Sequence, residues 1–368
     1  MSAWSRIIPF ESLNHQKEIW IYNDGEKKHE FEVDVTLGKT LDTLKFKANE
    51  VKEFDLIASK HAQQRSYFFS NADLECISIC PICKDKGPFD NVFNVYGASY
   101  NQCKHCLHWF VATRPTQKYL DYFYSKNLEY QSIYVDKALR DERVEIINIP
   151  KAQWIINLFE KIYNRKPNGI LDVGAGSGHF VYACKKLGMR ADGVEISESG
   201  ISFCKENFGI ELYNKDFLKE WNNFKDYEIV TFWGVIEHVT DPLSMLKSAH
   251  GLLSKGRGLV VAEVPRMNCV GTIVQSLFPD SIIRHLEPLN HPHCFSDSSL
   301  ATAFMVTGFD VKAAWYFGMD AHELILQFSN FLKNNALIQK GDMIIPAFQK
   351  VFDLAKLSDA MVLVGKAI

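Results

Sequence analysis

No stretch of this chain approaches the roughly 20 consecutive apolar residues that a membrane-spanning helix needs. The apolar step from Ile7 to Phe10 is too brief for an export-signal core, and no small-residue cleavage region follows it. The expected compartment is therefore the cytoplasm. Positive charge is scarce too: 41 Lys and Arg face 44 Asp and Glu, a formal net charge of -3, so no global field recruits nucleic acid. Nine cysteines without an export signal argue against a disulfide scaffold. Cys184, Cys204, Cys269 and Cys294 are scattered through apolar surroundings and read as core thiols. With 47% hydrophobic residues over 368 positions, one sizeable α/β core and one or two smaller modules are within reach, and disorder is excluded.

Four regions divide the chain. Residues 1–73 form a mixed, strand-containing accessory segment, with strand-like Glu18 to Tyr22 and Phe31 to Val35 flanking the turn Asn23-Asp24-Gly25, a short alternation at Leu44 to Lys47, and a helical stretch from Val51 to His61. Residues 74–113 hold a cysteine module. Residues 114–165 read as a helical connector, where Tyr122, Tyr124, Ser125 and Tyr130 are candidates for a substrate lid. From 166 to 368 the hydrophobic periods alternate as a βαβ series requires. Strands are expected at Ile170 to Val173, Asp192 to Ile196, Ile210 to Tyr213, Glu228 to Trp233, Leu259 to Val264, Phe309 to Phe317 and Ala360 to Val364. Asp241 before Pro242 caps the helix that follows the fourth of these.

In the cysteine module, Cys80-Pro81-Ile82-Cys83 and Cys103-Lys104-His105-Cys106 form two CxxC pairs. Each pair turns two thiolates inward, and two such turns complete a tetrahedral sulfur site suited to structural zinc, with no position left for a catalytic water. Cys76 and His105 are alternative ligands. Trp109 and Phe110 are expected to pack the module against the larger domain, and Lys84, Lys86 and Lys104 are offset by Asp85 and Asp90.

The chemistry centres on Leu171-Asp172-Val173-Gly174-Ala175-Gly176-Ser177-Gly178. A buried strand ends, three glycines permit a tight turn and a close ligand, and a helix begins with unpaired amides. The spacing is GxGxG, and no lysine follows where a phosphate loop needs one, which disfavours ATP or GTP chemistry. Glu195 ends the next strand, where a carboxylate can accept from two ribose hydroxyls. That logic also serves nicotinamide cofactors, so a dehydrogenase remains a competitor.

Taken together these segments resemble the class I S-adenosylmethionine-dependent methyltransferases over about residues 150–368. The likeness rests on the glycine segment, on Gly193-Val194-Glu195-Ile196, on Asn214-Lys215-Asp216-Phe217, and on Phe232-Trp233-Gly234-Val235-Ile236-Glu237-His238-Val239-Thr240-Asp241-Pro242. The last is similar to the small-molecule branch that includes quinone-biosynthetic O-methyltransferases. The resemblance implies a doubly wound, seven-stranded Rossmann-like sheet with an antiparallel final hairpin. It implies that Asp172, Gly174, Gly176 and Gly178 hold the amino-acid end of the cofactor, Glu195 the ribose, and Asp216 and Phe217 the adenine. Trp233 would line the sulfonium.

Acceptor-side candidates are Glu237 and His238 after the fourth strand, and His291 and His293 in the segment before the Phe295-Ser296 helix start, where a structural role for His293 is a serious rival. His285, His291 and His293 raise the alternative of a second metal site. The expected activity is methyl transfer to an oxygen of a small molecule, with a nucleotide-linked sugar or glycan precursor as the named acceptor class. Competing readings are an RNA methyltransferase using the cysteine module for recognition, and a noncatalytic cofactor-binding interaction protein. Oligomeric state is open.

Overall fold

The computed structural model describes residues 3–7, 15–23, 26–39, 43–47, 51–71, 73–119, 139–253, 256–278 and 285–368. The lid candidates Tyr122, Tyr124, Ser125 and Tyr130 lie outside the described residues, as do Asp24 and Gly25 of the expected turn. Along the chain, strands β1 (Trp4–Ile7), β2 (His15–Asn23) and β3 (Lys28–Leu37) come first, followed by helix α1 (Phe54–Asn71). The cysteine region contains β4 (Leu74–Cys76), β5 (Asp90–Val95), β6 (Ala98–Gln102), β7 (Trp109–Val111) and β8 (Thr113–Pro115). Then come α2 (Ile149–Tyr163), β9 (Ile170–Val173), α3 (His179–Lys186), β10 (Ala191–Glu195), α4 (Glu198–Phe208) and β11 (Tyr213–Asn214). The remainder is β12 (Ile229–Trp233), α5 (Pro242–Leu252), β13 (Leu259–Pro265), α6 (Val270–Leu277), β14 (His293–Cys294), α7 (Asp297–Val306), β15 (Phe309–Phe317), α8 (Asp320–Phe331), α9 (Gly341–Leu354) and β16 (Ala360–Ala367).

Ten strands make one sheet in the order β1-β2-β3-β15-β16-β13-β12-β9-β10-β11. Six of the seven expected strands are there, with β16 antiparallel to both β13 and β15, while the one expected at Ile210 to Tyr213 is reduced to the two residues Tyr213–Asn214. The expectation of seven is corrected to ten, because residues 1–39 do not stand apart. β3 pairs in parallel with β15, Asp34 opposite Ala313 and Leu37 opposite Tyr316, and β2 and β1 extend that edge as an antiparallel meander. The alternating burial of β3 reflects this: Phe31, Val33, Val35 and Leu37 face the core. Leu44 to Lys47, expected as strand, contains a helical turn at Thr43–Phe46. Four residues of alternation cannot distinguish strand from helix when neither neighbour supplies a partner strand.

Side chains alternate across the sheet and feed two apolar layers. Leu171, Val173, Val230 and Phe232 pack with Met245 and Leu246 of α5 and Ala301 and Phe304 of α7. Ile170, Ile229, Val261 and Val362 face the opposite layer, where Ile155 and Phe159 of α2 and Val181 of α3 sit. Among the described residues no helix is long and apolar enough to cross a membrane.

Trp20 is 1% exposed at the centre of the N-terminal meander, and its loss tests whether that meander is one cooperative unit with the rest. Trp20→Ala should cost about 3–5 kcal/mol, seen in urea unfolding as a lower midpoint of a single transition. A separate early transition confined to the variant would instead make the meander an independent domain.

Candidate active site and cysteine module

The glycine loop is tight for steric reasons that can be named. Gly174, Gly176 and Gly178 all have left-handed backbone, with φ of 71°, 54° and 75°. A Cβ at Gly174 would come within 2.6 Å of Val235 Cγ2, and one at Gly178 within 2.1 Å of Cys204 Sγ, whereas one at Gly176 would meet nothing within 4 Å. The loop is thus clamped at both ends and open in the middle. Val235, in the loop after β12, is a neighbour of this turn that sequence reasoning did not single out.

Glu195 is buried and its carboxylate closes the loop from the side. Oε2 accepts from the Gly176 amide at 2.6 Å, and Oε1 accepts from the Ile196 and Ser197 amides at 2.8 Å each. The acid expected to hold ribose is therefore first a clamp between two adjoining loops. Asp216 is exposed and caps a short turn, its Oδ1 accepting from Leu218 N at 3.0 Å. Phe217, expected to face adenine, is only 4% exposed, with Phe224 and Phe232 as ring neighbours.

Asp172 is buried, accepts from Thr231 Oγ1 at 2.7 Å, and is pushed up to about 7 by that burial, against the opposing pull of Thr231 and Lys151. Lys151 is a residue the sequence reading missed. It lies near the start of α2, ion-pairs with Glu263 of β13, and places its ammonium 4.5 Å from the centre of the Trp233 ring. The only available sequence signal was a lysine on the apolar side of an amphipathic helix.

Behind β12, Glu237, His238 and His291 come together, and their candidate donor atoms all lie within 4.8 Å of one another. His238 Nδ1–H donates to Asn290 O at 2.6 Å and His291 Nδ1–H donates to His285 O at 3.0 Å, so each ring leaves Nε2 as its basic atom. Glu237 Oε1 is 3.8 Å from His238 Nε2. Burial raises Glu237 to about 8 and lowers His238 to about 4. His293 does not join them. It is 0% exposed, its Nδ1 is 3.1 Å from His108 Nε2, and its Nε2 is 3.4 Å from Arg114 Nη1. Both ring nitrogens of His293 are thus engaged inside the protein, which fits the structural role that rivals a catalytic one. His285 is likewise drawn away, 3.0 Å from Asp359.

The two cysteine pairs fold alike. Cys80 N donates to Asp85 O at 2.8 Å and Lys84 N returns to Cys80 O at 3.1 Å; Cys103 N donates to His108 O and Leu107 N to Cys103 O, each at 2.9 Å. Lys84 and Leu107 take the same left-handed backbone, φ 62° and 59°. These matched turns gather Cys80, Cys83, Cys103 and Cys106, with Sγ–Sγ separations of 3.6 Å for Cys80–Cys106 and 3.5 Å for Cys83–Cys103. Four sulfurs about 2.3 Å from a zinc would be about 3.8 Å apart. Cys76 and His105 stay outside the cluster. The module joins the main domain through the backbone pairing of β7 with β14, Phe110 opposite His293, and through the Tyr100 side chain, whose Oη donates to His291 O at 3.0 Å. From the other side, a buried Arg65–Glu287 pair at 2.9 Å ties α1 to the same histidine segment. Lys84 and Lys104 are turned to local partners, the Pro81 carbonyl and Asp90.

Residues 147–314 match the family model described as a methyltransferase domain. The match covers somewhat less than half of the chain and makes that segment similar to methyltransferase domains. It is 28% identical over 128 residues to a ubiquinone biosynthesis O-methyltransferase of Coxiella burnetii (strain RSA 493 / Nine Mile phase I), which covers 33% of this chain and 53% of the relative. A protein of the same description from Bordetella avium (strain 197N) is 24% identical over 172 residues, 45% of this chain and 70% of its own. The chain thus spans about half the length of the first of these relatives. Among solved structures, magnesium protoporphyrin IX methyltransferase from Synechocystis PCC 6803 is 10% identical with a TM-score of 0.42, covering 69% of this chain and 100% of that one. That overlap is too loose to bear on ligand or mechanism.

Asp172 offers a test of the site's electrostatics. Its folded pKa of about 7 lies above the 3.8 of an unperturbed carboxyl, so the folded state binds the extra proton between those values and stability falls as pH rises through them. Asp172→Asn should remove that fall. In urea unfolding from pH 4 to pH 8, the variant should gain on the native protein with rising pH; parallel curves would mean that Asp172 ionises freely.

Proposed function

We propose that this chain transfers a methyl group from S-adenosylmethionine to a hydroxyl oxygen of a small molecule. The observation that carries the reading is the glycine turn, clamped at Gly174 and Gly178, open at Gly176, and bordered by Asp172 and Glu195. Bound S-adenosylmethionine supplies an electrophilic methyl on a cationic sulfur. Asp172 and the loop amides hold its amino-acid end, and Glu195 turns part of its hydrogen-bonding capacity to the ribose. The relatives described as O-methyltransferases support oxygen as the acceptor atom. Nothing among the described residues favours a sugar, so the acceptor class stays at a small hydroxyl compound.

His238 is the proposed base. With Nδ1–H committed to Asn290 O, its Nε2 takes the hydroxyl proton as the acceptor oxygen forms its bond to the methyl carbon and the sulfur–carbon bond breaks toward sulfur. A low pKa keeps the imidazole neutral at pH 7. The three-donor set of Glu237, His238 and His291 also suits a divalent cation, which would lower the hydroxyl pKa instead. Running the assay with and without a chelator separates these two routes. The four cysteines are proposed to hold one structural zinc that carries β7 against the histidine segment.

The direct test is incubation with methyl-labelled S-adenosylmethionine and a metabolite extract, followed by isolation of the labelled product. Glu195→Ala should weaken cofactor binding by about 1–3 kcal/mol, while His238→Asn should keep that binding and lose transfer. Label appearing only in RNA would replace the small-molecule reading. Cys80→Ser should lose metal and lower the melting temperature; full metal content in that variant would move the ligand set to Cys76 or His105.

A further inference from the structure

Helices α8 and α9 fill the connection between β15 and β16, beyond residue 314 where the family match ends. Their inner sides are spent on each other, with Ala321, Ile325 and Ile345 buried together. The opposite side of such a helix is ordinarily polar. Here it is apolar: Met343 is 68% exposed and Val351 60% on α9, and Phe331 is 69% exposed at the end of α8. Phe328, Leu337 and Phe348 are exposed as well, and with Met343 and Ala347 these three line a groove of about 380 Å³ between the two helices.

Six such side chains, at roughly 100 Å² of exposed surface apiece, offer about 600 Å² of apolar area. That is the upper end of what the largest patch on a monomer shows. It matches the apolar share of an interface that buries about 800 Å² on each partner.

The order of residues along α9 says what covers this face. Asp342 and Lys350 are both exposed, and so are Met343 and Val351. Each pair is eight residues apart, about 12 Å along the helix axis, and the midpoints are the adjacent, exposed Pro346 and Ala347. A second α9 crossing antiparallel at that point sets Asp342 beside Lys350 of the partner subunit and Met343 beside Val351 of the partner subunit, each contact occurring twice. The small side chain of Ala347 lets the two axes approach to about 8–10 Å. Self-complementarity about a twofold axis is what an isologous dimer requires. A lipid surface would instead favour a border rich in Lys and Arg, whereas α9 exposes one acid and one base.

We propose that α8 and α9 form the twofold interface of a homodimer, with the two α9 helices crossing antiparallel at Ala347. Analytical ultracentrifugation of the full chain tests this, and because no step involves methyl transfer the outcome leaves that reading untouched. The native protein should sediment at twice the monomer mass at micromolar concentration. Ala347→Glu brings two like charges together on the axis and should give a monomer with an unchanged circular dichroism spectrum. Asp342→Lys and Lys350→Asp should each weaken self-association at least tenfold. Mixing these two variants should restore a dimer containing one copy of each, a rescue that damage to the fold would not produce. The proposal is overturned if the native chain is monomeric, if Ala347→Glu still dimerises, or if the mixed variants fail to pair. A native monomer that floats with anionic phospholipid vesicles would overturn it in favour of a lipid surface.

Discussion

The left-handed turn at Gly174, Gly176 and Gly178 is the constraint on which the rest depends. Side chains at its two ends would overlap Val235 and Cys204, so no other residue lets β9, the loop after β12 and helix α4 approach so closely. Glu195 completes the closure by accepting from amides on both adjoining loops. A carboxylate that organises the empty loop is already oriented before a ligand arrives, which lowers the ordering cost of binding.

The acceptor side is assembled differently, from parts distant in sequence. His238 hangs from the end of β12, and His291 from a segment supported by the cysteine module on one side and by Arg65 of α1 on the other. Each takes its direction from a backbone carbonyl: Asn290 O for His238 and His285 O for His291.

What the sequence made legible follows the range of the interactions involved. Strands β9, β12 and β15 were expected within a residue of their ends because each is a nearly continuous apolar run bounded by polar or glycine punctuation. The cysteine cluster was legible because spacing alone turns each pair. Phe217 and His293 were not, since a motif names the residue and leaves its burial to the packing around it. Lys151 beside Trp233 and the parallel pairing of β3 with β15 left little local trace. The second arises from contacts between the first and last parts of the chain.

That pairing also dictates an order of assembly. Asp34 meets Ala313 only after most of the chain has been synthesised, so β1 to β3 emerge first and wait with the Phe31–Leu37 edge uncovered. An apolar edge left open for that long is a site for pairing with another chain. Slow translation or a shortened C-terminus would therefore harm solubility.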